Sequence, residues 1–362
     1  MKINQIVRGF LPFIVLLGAV SVRAWDYTGH RIVNQLALAA LPADFPAFVH
    51  EPAAEERIAF LAGEPDRWRN VPDLIMRQSG GSWADHYWDM EQVPNAGLDF
   101  ATVSSFRYDF IVAFAAGRAA HADKFPAIDP AKNSDHTREW PGFLPWAATE
   151  YYTRLRSAFM YLKVFEELGT PEEIANARAD AIYVMGVMGH YVGDGAQPLH
   201  TTIHHDGWVG ANPGGYTTTP GIHSWVDGGI IGKAHITTAS IAARVVPAQP
   251  ISLAARPDGR EPVFVALTDY LIGQNKLVEP LYQLEKAGKL GNDKVTVGAD
   301  GKNVRESRPM TAEARSFVED QLLKGGEMLA SIWVTAWRNA GPDTYLRAQL
   351  LKRQAAAAPA AK

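Results

Sequence analysis

The chain has 362 residues, 47% of them hydrophobic, with 35 lysines and arginines against 39 aspartates and glutamates. This composition permits a sizeable core and excludes disorder of the whole, and a formal net charge of −4 lacks the broad basic surface expected of a duplex-DNA binder. There is no cysteine, so disulfides and thiolate metal ligands are excluded.

In chain order, Lys2 and Arg8 precede the apolar run Phe10–Val20, and "SVRA" follows. A charged start, a short apolar stretch and small residues at Val22 and Ala24 predict a secretory signal over residues 1–24, cleaved between Ala24 and Trp25. The run is too short to span a bilayer comfortably. The expected location is therefore periplasmic or secreted, with no membrane insertion after cleavage. The leader carries three basic residues and no acidic one, so the remainder is more acidic still. An exported chain without disulfides must draw its stability from its core, with bound metal as a further source.

Helices are expected over 29–41, ended by Pro42, and over 55–70, running into Asp66. A third covers 149–168 and stops at Gly169. The next opens at Thr170 with Pro171 at the first helical position and Glu173 three residues after the cap, a capping box, and runs to about 194. Two further helices are expected around 262–287 and 310–339. Segments 91–101, 121–146 and 206–222 are rich in Pro, Asp, Asn, Gly and Thr and read as loops. "VTVGADGKNV" at 295–304 suggests a small hairpin around Asp300-Gly301. The tail 353–362 is low in complexity and expected to fray. No internal repeat or linker is evident, so residues 25–352 are expected to form one all-α domain with long loops.

The chemistry concentrates in "MGHYVGDGAQPLH", residues 188–200. His190 and Asp194 are spaced i, i+4 and share a helix face. Gly193 and Gly195 flank the carboxylate and are expected to leave clearance beside it. Pro198 ends the helix, and His200 falls on the turn beyond. A single H-x3-D pair is usually an ordinary hydrogen bond at a helix end. Here the spacing recurs: His223 and Asp227 are also i, i+4 and followed by glycines. His30, Asp66 and His86 add ligand-type side chains upstream. Nitrogen and oxygen ligands without sulfur suit zinc, with manganese or another divalent ion open on ligand type alone. His50, His121, His136 and His235 have no partner at ligand spacing, and His204 and His205 match no ligand position.

The ordered series Trp25-x4-His30, Asp66-x2-Arg69, His86-Tyr87-x-Asp89, His190-x3-Asp194-x5-His200 and His223-x3-Asp227 resembles the S1/P1 nuclease family. These are secreted trinuclear-zinc enzymes, related to the zinc-dependent phospholipases C, that cut single-stranded nucleic acid. The resemblance implies the all-α phospholipase C/P1 nuclease fold and three zinc ions per chain. Asp66, His86, His190 and Asp194 would hold the first, and His200, His223 and Asp227 the second. The amine and carbonyl of Trp25, with His30 and again Asp194, would hold the third. It also implies hydrolysis of DNA or RNA single strands at the P–O3′ bond to leave 5′-phosphates, with nucleotide 3′-phosphates as further substrates. Arg69 would neutralise charge on the phosphoryl oxygens, Asp66 would serve as a secondary proton acceptor, and Tyr87 and Asp89 would form a base pocket.

Two departures from that pattern stand out. The span between His86 and His190 is longer than in the fungal and plant nucleases, and the disulfides of those relatives are missing. A phospholipase C-type hydrolase of lipid head groups would use nearly the same metals. Asp227, where such phospholipases usually carry glutamate, and the Asp66–Arg69 and His86–Asp89 pieces favour the nuclease. A zinc-binding periplasmic protein without turnover is the reading from another class, and Arg69 with its aromatic neighbours argues against it.

Overall fold

Proline placement decides where helices stop in this chain. The computed structural model describes residues 25–78, 83–297 and 303–357; the expected leader, 1–24, lies outside the described residues. Helix α1 (Tyr27–Ala39) is capped by Asp26, whose side chain accepts from Gly29 N–H at 2.9 Å. The helix expected over 55–70 is two helices, α2 (Pro52–Leu61) and α3 (Glu64–Arg69), broken at Ala62-Gly63. Pro65 lacks an N–H and its ring collides with the carbonyl four residues back, so it starts a helix instead of continuing one. The helix expected around 262–287 divides for the same reason, with Pro280 enforcing the break between Pro262–Asn275 and Val278–Lys286.

Between α3 and the long central helices, the short α4 (Gln92–Asn95) interrupts the loop expected at 91–101. α5 (Arg107–Ala120) buries Phe110 and Phe114, spaced i, i+4, and exposes Tyr108 and Val112. α6 (Leu144–Leu168) and α7 (Pro171–Ala196) then form the central pair, with both hydrogen bonds of the Thr170–Glu173 capping box present. The stretch after α7 holds only short helices: α8 (Ile222–Ser224), a π-helical turn at Trp225–Gly229, α9 (Ile230–Ala234) and α10 (Thr238–Ile241). Beyond them come α11 (Pro262–Asn275), α12 (Val278–Lys286), α13 (Ala312–Arg338) and α14 (Thr344–Ala357). Helix α14 continues through 353–357, where the composition predicts fraying; residues 358–362 lie outside the described residues. Strands β1 (Lys294–Val297) and β2 (Asn303–Glu306) pair antiparallel, as expected, with Val297 opposite Asn303; the expected turn at Asp300-Gly301 lies outside the described residues. The fold is mostly helical and a single domain, and among the described residues no helix is long and apolar enough to cross a membrane.

Helices α1, α6, α7 and α13 pack mutually around the main core, which encloses Trp25, Leu36, Tyr152, Met188 and Trp333. Gly189 on α7 lets α1 approach so closely that a Cβ there would lie 1.7 Å from Asn34 Oδ1. Asn34 is fully buried, and its Nδ2 donates to Ile58 O at 2.8 Å and Gly186 O at 3.0 Å, tying α1, α2 and α7 together. A second, aromatic core lies under α5. Trp146 stacks on Phe110 at 4.1 Å and meets Trp88 edge-on at 5.5 Å, with Phe114, Phe143 and Phe264 around them. The segment between His86 and His190 therefore has a packed foundation of its own.

Candidate metal centre

The C-terminal turns of α7 lie across α1, with α3 and the Trp83–His86 turn close by. This arrangement gathers His30, Asp66, His86, His190, Asp194, His200, His223 and Asp227 into one buried region. Three groups have ligand atoms mutually within 4.8 Å: His30 with His190 and Asp194, Asp66 with His86 and His190, and His200 with His223 and Asp227. Except for Asp66, which is partly exposed, all of these side chains are buried.

Asp194 is the hub. Its Oδ2 lies 3.1 Å from His86 Nδ1 and 3.3 Å from His190 Nε2, while Oδ1 faces His30 Nε2 at 3.3 Å and His200 Nδ1 at 3.9 Å. Burial opposes its ionisation, but the fields of His190 and His200 and the hydrogen bonds from His190 and His30 hold its carboxyl well below the usual range. The Asp66 carboxyl is also depressed: burial opposes the shift, and His190, Arg69, 2.7 Å away, and His86 overcome it.

The imidazoles are aimed from outside. Nδ1–H of His190 donates to Ala62 O at 2.7 Å, that of His200 to His86 O at 2.6 Å, and that of His223 to His205 O at 3.1 Å. A carbonyl only accepts, so each bond fixes Nδ1 as a protonated nitrogen and turns Nε2 into the cluster, where a neutral ring offers its lone pair. There His190 Nε2 comes 2.8 Å from His86 Nδ1, and His223 Nε2 comes 3.1 Å from His200 Nε2. Burial pushes His86 and His223 down to about 4, and His30 and His200 are also lowered by burial. Burial works against His190 as well, but the charge of Asp194 prevails and raises it.

Two buried ring nitrogens here, His30 Nδ1 and His86 Nε2, have no hydrogen-bond partner among the described residues, while the buried oxygens Asp194 Oδ1 and Asp227 Oδ2 face imidazole nitrogens at 3.3 and 3.1 Å without a well-formed hydrogen bond. An unsatisfied buried polar group costs about 1–3 kcal/mol, and so many side by side fit a cation better than a static hydrogen-bond network. Buried His/Asp groups able to hold a metal ion are thus present.

The second H-x3-D pair is built differently. Asp227 sits on the π-helical turn, with Oδ2 3.1 Å from His223 Nε2 and Oδ1 accepting from Gln197 Nε2 at 2.7 Å. Burial outweighs His200 and Gln197 and raises the Asp227 carboxyl well above its usual range. Gln197 positions the Asp227 carboxyl and offers no ligand-type side chain of its own. It is fully buried, and its Oε1 also accepts from Leu199 N at 2.6 Å; its position one residue past α7, before Pro198, is the signal that points to it.

Trp25 is fully buried, and its indole donates to Gly193 O at 2.7 Å, while Asp26 N bonds Asp227 O at 3.3 Å. The expected clearance around Asp194 has another explanation. A Cβ at Gly193 would meet His30 Nδ1 at 3.1 Å, and one at Gly195 would meet Leu271 and Tyr270 at 3.0 Å. These glycines admit the His30 ring and helix α11.

The cluster opens into a cavity of about 610 Å3 whose wall includes Arg69, His86, Tyr87, Asp89, His200 and His223. Arg69 is buried, pairs with Asp66 and lies 5.0 Å over the Trp83 ring. Tyr87 and Asp89 are half-buried in this wall. Burial and the neighbouring Glu91 push Asp89 up to about 8, against the hydrogen bond from Gln92, so near neutrality Asp89 largely keeps its proton and can donate as well as accept. His204 stacks on Trp208 at 3.9 Å, and Asn212 bonds the main chain of Tyr216; both serve the 206–222 loop.

No protein-family model matches the chain, and a search of curated proteins finds no significant match.

Proposed function

We propose that this chain is an exported phosphodiesterase of the S1/P1 nuclease kind that carries three zinc ions and hydrolyses single-stranded nucleic acid, releasing 5′-phosphates. The observation that carries the reading is the position of Asp194, whose two oxygens face different imidazoles behind a cavity wall that includes His86, His200 and Arg69. Asp66, His86, His190 and Asp194 would hold one ion, His200, His223 and Asp227 a second, and His30, Asp194 and the Trp25 main chain a third. Bound zinc supplies concentrated positive charge that polarises a phosphate and brings the pKa of water toward neutrality.

The chain's own groups do the rest. Arg69 is oriented by Asp66 and can take phosphoryl oxygens through two N–H donors, neutralising charge as it builds. Asp66, held ionised, is a proton acceptor next to that guanidinium. Tyr87 and Trp140 give the cavity aromatic faces on which unpaired bases can stack, a preference that tolerates any base and disfavours duplexes. Asp89, protonated near neutrality, can donate to a base acceptor.

The test combines metal analysis of the purified protein with digestion of single-stranded DNA and RNA, duplex DNA and phosphatidylcholine, with and without chelator. Three zinc ions and chelator-sensitive release of nucleoside 5′-phosphates from single strands are expected. Preferred cleavage of phosphatidylcholine would favour the phospholipase reading, and zinc without hydrolysis would favour a binding protein.

A further inference from the structure

Besides Arg69, the cavity wall carries four arginines and lysines, and three of these are already answered. Arg77 Nη1 lies 3.1 Å from Asp135, and Lys132 lies 3.6 Å from Asp129. Arg118 donates to Glu139 O at 3.3 Å, feels the Glu139 charge and covers the Phe125 ring at 4.6 Å. Arg138 differs. Its Nε donates to Lys132 O at 2.6 Å, which holds the side chain, and among the described residues no carboxylate pairs with its guanidinium. The two Nη groups remain on an exposed side chain that lines the same cavity as His86, His200 and His223.

The loop presenting Arg138 is built at a cost. Asn133, Asp135 and Thr137 are buried polar residues in a stretch that exposes most of the rest. Asn133 Oδ1 accepts from Arg138 N at 3.1 Å, and Asp135 Oδ1 accepts from Thr137 Oγ1 at 2.9 Å. Gln78 Nε2 donates to Asp135 O at 2.7 Å, joining the loop to residues 71–78. His136 between them takes a positive φ of 54°, a conformation unusual for a residue with a side chain. Buried polar groups and local strain that fix one exposed cation are the design of a pre-organised contact.

We infer that Arg138 forms a second phosphate subsite, engaging the phosphate adjacent to the one at the metal cluster, so that the cavity takes substrates with at least two linked phosphates in preference to isolated monophosphates. This rests on the proposed nuclease reading and gives the long segment between His86 and His190 a role in substrate selection. A guanidinium suits this task because its planar fork matches phosphate geometry.

The experiment compares the metal-loaded wild type with Arg138→Ala, Arg138→Lys and, as a charge-matched control, Arg256→Ala, an arginine outside this cavity paired with Asp258. Binding is measured over a salt series with hydrolysis-resistant phosphorothioate-linked thymidine dimers and trimers, which carry one and two phosphates, and KM and kcat with the hydrolysable counterparts. Wild type should bind the trimer at least tenfold more tightly than the dimer. Arg138→Ala should remove most of that advantage, reduce the salt slope for the trimer by about one, and raise trimer KM with little change in kcat. Arg138→Lys should retain part of the advantage, and Arg256→Ala all of it. Equal loss of dimer and trimer binding in Arg138→Ala, or an unchanged trimer advantage, would overturn the inference. Wild-type protein that binds the trimer through Arg138 but cleaves neither compound would overturn the nuclease reading and leave the subsite standing.

Discussion

His190-x3-Asp194 and His223-x3-Asp227 share a spacing and a degree of burial, yet their carboxylates are driven in opposite directions. Asp194 lies on a regular helix amid four imidazoles and is held ionised. Asp227 lies on a π-turn near two imidazoles, His223 and His200, and a neutral amide, and burial pushes it toward its protonated form. A motif spacing therefore brings a carboxylate to a site, while the imidazoles gathered around it, above all the His190 ring that it holds protonated, decide whether it waits there charged.

The contrast is most exposed to removal of the hub. Asp194→Asn should release more than one metal ion per chain and abolish hydrolysis, whereas Asp227→Asn should release one; metal stoichiometry on the two variants checks this, and full occupancy in Asp194→Asn breaks the shared-ligand assignment. In metal-free protein the same pair should separate in stability. Asp194→Asn removes the charge that favours protonation of the buried His190 ring, and breaking such a buried pair costs about 3–5 kcal/mol. Asp227→Asn replaces a carboxyl that burial already drives toward its neutral form and should change denaturant midpoint far less.

Acidity tests the imidazoles. His86 and His223 have folded values of about 4 against 6.5 unfolded, so the unfolded chain takes up protons first. Their contribution is fully present above pH 6.5 and is lost as pH falls from 6.5 through about 4. Urea unfolding of metal-free protein across that window should show the fall, and the double variant His86→Gln, His223→Gln should flatten it. The smallest effect belongs to Gln197→Leu, which should weaken only the Asp227 site, by roughly 10–100-fold in metal affinity. A metal titration in which the other sites weaken equally would erase the distinction between the two pairs.

Much of this arrangement is legible in the residues. Helix starts are written in caps such as Thr170, and the two i, i+4 pairs name a shared face whatever the tertiary context. The breaks at Ala62-Gly63 and before Val278 follow from Pro65 and Pro280, yet an apolar pattern that continues past a proline masks them. Helix α5 is hard to see in the sequence because its buried residues, Phe110 and Phe114, are only two. Arg138 carries no spacing signal because a loop fold defines it; Gln197 is marked by its place before Pro198, but its bond to Asp227 is long-range and not local in sequence. The glycines beside Asp194 mislead for the same reason, since the atoms filling their space come from α1 and α11.

The π-turn at Trp225–Gly229 amounts to one residue more than a regular helix would hold, set where Asp227 must face His223 and Gln197. Such a turn is a register shift stored in the main chain. Deleting Gly229 would leave every candidate ligand in the sequence, yet it would remove the widened turn and rotate Asp227 relative to helix α9 by about 100°. At this corner the chain encodes its geometry in a count of residues, so shortening the chain by one glycine would damage it as surely as exchanging a ligand.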